Sequence, residues 1–197
     1  MSEAGISLSV PVILGSVRRD RAGIRAAQLL LGVLAARGHQ PMLVDPLVEQ
    51  LPLLDRMYKE HPKGQAPAKL ERLAELYRRA DGFVIVSGEY NNGIPPALKN
   101  LLDYFLEEYF WRPSAIVCYS AGQFGGVRAA MQLRMTLAEL GMSSIPSIFP
   151  IPRIAQTLDA DGRPLEPWVE KRLERFLEEF CWYARAMKRE RTAGTPY

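Results

Sequence analysis

Hydrophobic positions along this chain switch repeatedly between two periods, and the alternation predicts the fold class. Val10 to Leu14 is a short apolar run that ends at Gly15. From Ala22 to Arg37 the spacing turns helical, with Ile24, Ala27, Leu31 and Leu34 on one face and Arg25 and Gln28 off it. Met42 to Val44 is a second short apolar segment, stopped at Asp45-Pro46 by the proline. The stretch that follows holds Pro52, Pro62, Gly64 and Pro67, and its length suits a lid or an interface segment better than a plain connection.

A second amphipathic helix is marked by Leu70, Leu73, Ala74, Tyr77 and Ala80, with Glu71, Arg72, Glu75, Arg78 and Arg79 on its water side. After Gly82, Phe83 to Val86 is apolar at every position, as a central strand covered on both faces must be. Pro95-Pro96 opens a third helix, where a proline sacrifices no intrahelical hydrogen bond; Leu98, Leu101, Leu102 and Phe105 form its stripe. Ala115 to Tyr119 is a fourth strand, and Gly126 to Leu140 a fourth helix stopped by Gly141. Ile145 to Phe149 is a fifth strand that Pro146 assigns to an edge. Asp159 to Gly162 reads as a turn, Glu166 to Lys188 as the last helix, and the polar tail beyond as frayed.

Five strands alternating with five helices predict a parallel sheet with helices on both faces, an α/β three-layer sandwich. Neither a repeat nor a domain boundary interrupts the pattern, so residues 1–197 are expected to form a single domain. In such sheets ligands bind beyond the carboxyl ends of the strands, where the strand order reverses. The loops after the first, third and fourth strands therefore become the candidates.

Composition narrows the chemistry. With 25 basic and 22 acidic residues the net charge is only +3, and 48% of the 197 residues are hydrophobic. Acids are interleaved with the arginines along the helices, which argues against a nucleic-acid face. Cys118 and Cys181 each lie in an apolar run, as core thiols in a reducing, cytoplasmic compartment do. His39 and His61 are the only histidines, and neither has the spacing of a zinc site, so no metal is expected. Met1 to Ser9 lacks the basic cluster and long apolar core of a secretory signal, and no run is long enough to span a bilayer.

The first loop, Gly15-Ser16-Val17-Arg18-Arg19-Asp20-Arg21-Ala22-Gly23, joins a strand to a helix N-terminus and carries a hydroxyl and three guanidiniums. Backbone amides and the positive end of the helix dipole favour an anion there, although neither a P-loop nor a dinucleotide fingerprint is present. A solvated polar turn is the competing reading. The second loop, Ser87-Gly88-Glu89-Tyr90-Asn91-Asn92-Gly93-Ile94-Pro95-Pro96, is tightly turning and offers Tyr90 as a flat face for a planar ligand. The third, Ser120-Ala121-Gly122-Gln123-Phe124-Gly125-Gly126, has glycines that admit a ligand close to the backbone. Together the three describe a mononucleotide site.

At these residues the chain resembles the NADPH-dependent FMN reductase family over about Val10 to Lys188. Gly15-Ser16-x-Arg18 resembles that family's phosphate loop, Glu89-Tyr90-Asn91 its loop against the flavin ring, and Gly122 to Gly126 its second ring-side loop. Leu98-Lys99-Asn100 with Asp103 resembles the start of the following helix. Arg21, Gly23 and Gly88 depart from the pattern, standing where many relatives have Ser, Asn and Pro; Gly88 in place of a proline predicts a looser ring loop.

The resemblance implies a flavodoxin-like sandwich with a five-stranded parallel sheet. It implies an enzyme that binds FMN, takes hydride from NADPH or NADH, and passes two electrons to a quinone, flavin, azo or similar small acceptor. No side chain is then expected to be catalytic, because the flavin carries the chemistry. Ser16, Arg18 and Arg21 are expected on the phosphate, with Ile24 beside them. Glu89, Tyr90, Asn91, Asn92 and Gly93 would meet one side of the ring, and Ser120, Gly122, Gln123, Phe124 and Gly125 the other. Relatives are commonly dimers or tetramers; Leu102, Phe105, Tyr109, Phe110 and Trp111 supply apolar surface for a homodimer or homotetramer interface, and Lys99 and Asp103 can pair on the helix or across it. A flavodoxin-type electron carrier, a flavin-free anion-binding domain and an arsenic-resistance flavoprotein reductase remain as alternatives, the net charge of +3 leaning against the typically acidic carrier.

Overall fold

A computed structural model describes residues 6–197; the reading of Met1 to Ser9 as lacking a secretory signal lies largely outside them. Five strands, β1 (Ser9–Leu14), β2 (Gln40–Val44), β3 (Phe83–Ser87), β4 (Pro113–Tyr119) and β5 (Ser143–Ile151), form one sheet in the order β2-β1-β3-β4-β5. All neighbours run parallel. The strands carry α1 (Gly23–Ala36), α2 (Pro46–Glu49), α3 (Ala68–Arg79), α4 (Pro96–Asp103), α5 (Val127–Glu139), α6 (Ile154–Thr157) and α7 (Trp168–Ala193). The chain steps from β1 outward to β2 and then back past β1 to β3, so the order reverses between β1 and β3. The crevice that such a reversal opens lies at the carboxyl ends of those two strands.

Side chains alternate across the sheet and feed two cores. Val12, Val84, Val86 and Val117 face α1 and α7, where they meet Leu30, Phe176 and Phe180; Ile13, Ile85, Ile116 and Cys118 face α3, α4 and α5. In the second core Tyr77, Phe83, Phe105 and Tyr109 form an aromatic cluster, Tyr77 meeting Phe105 and Phe83 edge to face at 4.9 and 5.4 Å between ring centroids. Each such fully buried side chain contributes about 1.5–3 kcal/mol relative to exposure.

That cluster corrects one expectation. Leu102, Phe105 and Tyr109 are fully buried in the chain's own core, so they offer no surface to a partner. They fold inward because a 3₁₀ turn at Glu107–Tyr109 directs the chain back under α3. Lys99 and Asp103 pair along α4 itself.

Other differences have equally local causes. Pro46 does not only stop β2: it begins α2, with the Asp45 carboxylate accepting from the Leu47 amide at 2.9 Å as its N-cap. The long segment after α2 is pinned to α4, because Asn100 accepts from the Leu54 amide at 2.8 Å and donates to the Pro52 carbonyl at 2.7 Å. Helix α7 runs to Ala193, beyond the predicted stop at Lys188, since Arg191 is tied at 2.9 Å to the Trp111 carbonyl and at 3.2 Å to Asp81. Strand β5 is the edge that Pro146 predicted, and Arg134 covers the carbonyls of Ile145 and Pro146 at 3.0 and 2.9 Å.

Candidate functional site

The first loop leaves β1 at Gly15, whose amide donates to the Val86 carbonyl at 2.9 Å. A Cβ there would stand 3.0 Å from both that carbonyl and the Leu98 side chain, so the close approach of β1, β3 and α4 needs glycine. Ser16 is only 2% exposed. Its hydroxyl accepts from the Arg18 amide at 3.3 Å and lies 3.1 Å from the Tyr90 hydroxyl, joining the first loop to the second. Val17, Arg18, Arg19 and Asp20 stand exposed, immediately before α1. Arg21 turns the other way: both terminal nitrogens meet the Asp45 carboxylate, and one also donates to the Ser16 carbonyl at 3.1 Å. Its neighbour Ile24 is half-buried against the core on the α1 side.

The second loop is a two-residue hairpin. Tyr90 and Gly93 exchange backbone hydrogen bonds at 3.1 and 2.9 Å, and Asn91 and Asn92 between them both take left-handed backbone angles, φ +50° and +66°. That is the geometry of a primed turn, which asparagine tolerates better than most residues. Asn91 and Asn92 are exposed at the tip. Glu89 reaches across to α5, accepting from the amides of Arg128 and Ala129 at 3.0 and 3.1 Å, and its other oxygen faces the Arg128 guanidinium at 3.6 Å. Gly88 is buried beside the Tyr119 ring, from which a Cβ would stand 3.1 Å. An aromatic ring thus takes the room that the missing side chain leaves.

The third loop is shaped by Ser120, whose hydroxyl donates to the Gly122 carbonyl at 2.9 Å and accepts from the Gly125 amide at 3.0 Å. Gly126 has φ +79°, and a Cβ there would meet the Tyr119 carbonyl at 2.7 Å. Gly122, by contrast, has open space around it. Gln123 and Phe124 are exposed, and the Arg128 guanidinium stacks 4.6 Å from the centroid of the Phe124 ring.

The sheet thus brings the three loops to one edge and locks them together through Ser16 with Tyr90 and Glu89 with α5. One end of the arrangement is cationic and lies at the start of a 14-residue helix; the other is lined by glycine, a neutral hairpin and an exposed aromatic ring. Such a donor set fits a molecule with a phosphate at one end and a planar ring at the other. Cys118 lies beneath it without the reactivity of a thiolate, because burial pushes its thiol up to about 12. Among the described residues no cluster of metal-ligating side chains occurs.

The sequence profile of the NADPH-dependent FMN reductases matches residues 8–156. The chain belongs to that family. It is 34% identical over 137 residues to a quinone reductase of Escherichia coli strain K12, covering 68% of this chain and 71% of that one. It is 29% identical over 187 residues to a 2-hydroxy-1,4-benzoquinone reductase of a Burkholderia species, covering 91% and 98%. Among solved structures, the flavoenzyme FerB of Paracoccus denitrificans, an NAD(P)H:(acceptor) oxidoreductase, superimposes with a TM-score of 0.69 at 20% identity, over 92% of this chain and 98% of that one. The family member described here is accordingly an FMN-dependent NAD(P)H oxidoreductase with a flavodoxin-like fold, as its loops predicted.

Three residues at the site escape a reading of the sequence. Asp45 follows β2 and anchors Arg21, but only its proline neighbour stands out in the sequence. Arg128 lies on a helix and joins the site through Glu89 and Phe124. Tyr119 reads as the last residue of a strand, and the one available signal is that this position borders a glycine-rich loop at the carboxyl edge.

Proposed function

We propose that FMN lies across the carboxyl ends of β1, β3 and β4, with its phosphate on the first loop and its ring between the second and third. When bound, the flavin accepts a hydride at N5 and supplies two electrons to an oxidant. The chain's own residues bind and orient it. Arg18 and the amides of the first loop carry the phosphate, together with the Ser16 hydroxyl. Arg21 shapes that loop from behind, since Asp45 and the Ser16 carbonyl already engage its terminal nitrogens. The backbone from Glu89 to Gly93 meets the polar edge of the ring, Gly122 to Gly125 line its other side, and the exposed Phe124 leaves a flat surface for a planar partner. Quinones are the favoured acceptors, with free flavins and azo compounds of the same planar, two-electron class.

The observation that carries this reading is the convergence of all three loops, with Ser16 and Tyr90 3.1 Å apart across two of them. The test is a visible spectrum of the purified protein followed by anaerobic NADPH. Bound flavin that bleaches, and recovers its colour on adding a benzoquinone, supports the reading. Bound flavin that stays oxidised makes the protein a carrier, and a colourless protein that takes up no FMN removes the site.

The same reading places the enzyme in the cytoplasm as a homodimer or homotetramer. No helix among the described residues is long and apolar enough to cross a membrane, and both cysteines are free. Val17, Leu47, Val48 and Leu53 form the exposed apolar surface beside the first loop that would suit a second copy. Light scattering coupled to size exclusion tests it: a monomer at micromolar concentration overturns the assembly.

A further inference from the structure

The Arg128 guanidinium is held between the two ring-side loops while its hydrogen-bond donors stay unspent. Arg128 is the second residue of α5, and its backbone amide donates to the Glu89 carboxylate. Its side chain reaches the third loop, stacking 4.6 Å from the centroid of the Phe124 ring, and the second, lying 3.6 Å from Glu89. The latter distance makes an ion pair but is too long for a hydrogen bond. A guanidinium carries five N–H donors in a planar fork, and among the described residues no protein acceptor hydrogen-bonds to those of Arg128. About half of the side chain is exposed.

Glu89 does not cancel this charge. Its second oxygen accepts from two amides at the start of α5, and its own side chain is almost shut off from water, so it is committed to the helix end. The same two bonds occupy donors that the helix would otherwise offer an anion, leaving the guanidinium as the open donor between these loops. Its neighbours are flat or apolar. Phe124 is 54% exposed and Met131, one turn further along the same face of α5, is 47% exposed. Gln132 on that face stands close to the hairpin, its amide oxygen 3.6 Å from where a Cβ on Gly93 would lie. A planar molecule entering between the loops thus meets the Phe124 ring and, at its rim, a fork suited to an anionic group with two oxygens.

We propose that Arg128 selects the electron acceptor, favouring planar quinones and azo compounds that carry an anionic group at the rim of the ring: a sulfonate, a carboxylate or an ionised hydroxyl. The proposal rests on the placement of the flavin ring between the second and third loops. Arg128 binds the anionic group and moves neither electrons nor protons, so its effect falls on the KM of the acceptor and on the choice among acceptors. Phe124 is a positioning residue that keeps the guanidinium over the third loop. A phosphate of NADPH is the rival occupant of the same fork.

The experiment uses holoenzyme of the parent, Arg128→Met and Arg128→Lys, with a naphthoquinone sulfonate and the corresponding methyl naphthoquinone as acceptors under saturating NADPH. Flavin content and its bleaching by anaerobic NADPH are read first. A parent without flavin, or with flavin that NADPH leaves oxidised, overturns the underlying reading and the proposal with it. The quantity compared is kcat/KM for the sulfonate divided by that for the methyl quinone, so a general loss of activity in a variant cancels. Arg128→Met should lower this ratio roughly tenfold, through the KM of the sulfonate, the scale of one hydrogen bond to a charged group. Arg128→Lys keeps the charge without the fork and should fall between. Added salt should shrink the ratio in the parent and leave it flat in Arg128→Met. A ratio equal in all three proteins overturns the proposal and leaves the flavin placement standing. An unchanged ratio with a raised KM for NADPH, but not for NADH, assigns the fork to the nucleotide's phosphate and equally overturns it. Should Arg128→Met fail to retain flavin, Arg128→Lys decides: a ratio below the parent's supports the acceptor role, and a parental ratio overturns it.

Discussion

The Glu89 carboxylate, which belongs to the loop after β3, caps the helix after β4 by accepting from the Arg128 amide at 3.0 Å and the Ala129 amide at 3.1 Å. A helix of 13 residues thereby gains a negative charge at its positive end from a neighbouring strand unit. Gly126, the residue before the helix, has no side chain with which to do the same. The loop after β3 and the helix after β4 are consequently tied together.

Glu89→Ala should therefore cost about 0.5–2 kcal/mol of stability, the range of a lost N-cap, and weaken retention of FMN at the same time. Glu89→Gln keeps an acceptor oxygen and should recover part of both losses. Thermal melts of apoprotein alongside flavin content after dialysis would check this; unchanged melting and unchanged flavin content in Glu89→Ala would separate the loops.

The Arg21–Asp45 pair makes a different prediction. The two side chains are 14% and 8% exposed, so removal of one leaves a charge largely shut off from water. Asp45→Ala should destabilise the protein by on the order of 3 kcal/mol, and Arg21→Ala, Asp45→Ala together by less than the sum of the two single changes. Denaturant unfolding of the four proteins in the cycle measures the coupling. Additive losses would mean that the pair does not act as a unit.

Gly122 offers a way to block the ring without disturbing the fold. It is exposed, has nothing within 4 Å of a Cβ and no left-handed backbone angle, so Gly122→Trp should melt within about 0.5 kcal/mol of the parent. The same change should exclude FMN from the third loop. A variant that binds FMN with parental affinity would remove that loop from the site.

His39 predicts how stability responds to acid. Burial lowers its pKa below the ordinary 6.5, and the neighbouring Arg185 and Arg37 add to the effect. In the unfolded chain the imidazole takes a proton as the pH falls through 6.5, whereas in the folded chain it resists until lower pH. The unfolded state thus binds more protons in that window, and its contribution to stability, full above 6.5, is lost as the pH falls toward the folded value. His39→Gln should flatten the stability profile between neutral pH and the acid limb. An identical profile in both proteins would show that other groups set the acid response.

Much of this protein was legible in its sequence because the signals are local. The all-apolar run Phe83 to Val86 is buried throughout and lies inside the sheet, and the stripe from Val169 to Ala184 became α7. Pro146 marked the edge strand because a proline cannot donate to a ladder. The loops Gly15 to Gly23, Glu89 to Gly93 and Ser120 to Gly126 identified the family by residue type and order, with no knowledge of their distances.

What the tertiary structure decided is which groups face one another, because that depends on strands brought together from distant parts of the chain. The sequence does not reveal that Asp45, after β2, stands against Arg21, or that Tyr119 at the end of β4 lies over Gly88. Leu102, Phe105 and Tyr109 read as surplus apolar surface until α3 closes over them. A sequence pattern states how much apolar surface or charge an element carries, whereas the partner that satisfies it is chosen by parallel pairing across crossovers tens of residues long. That pairing makes one site of three loops.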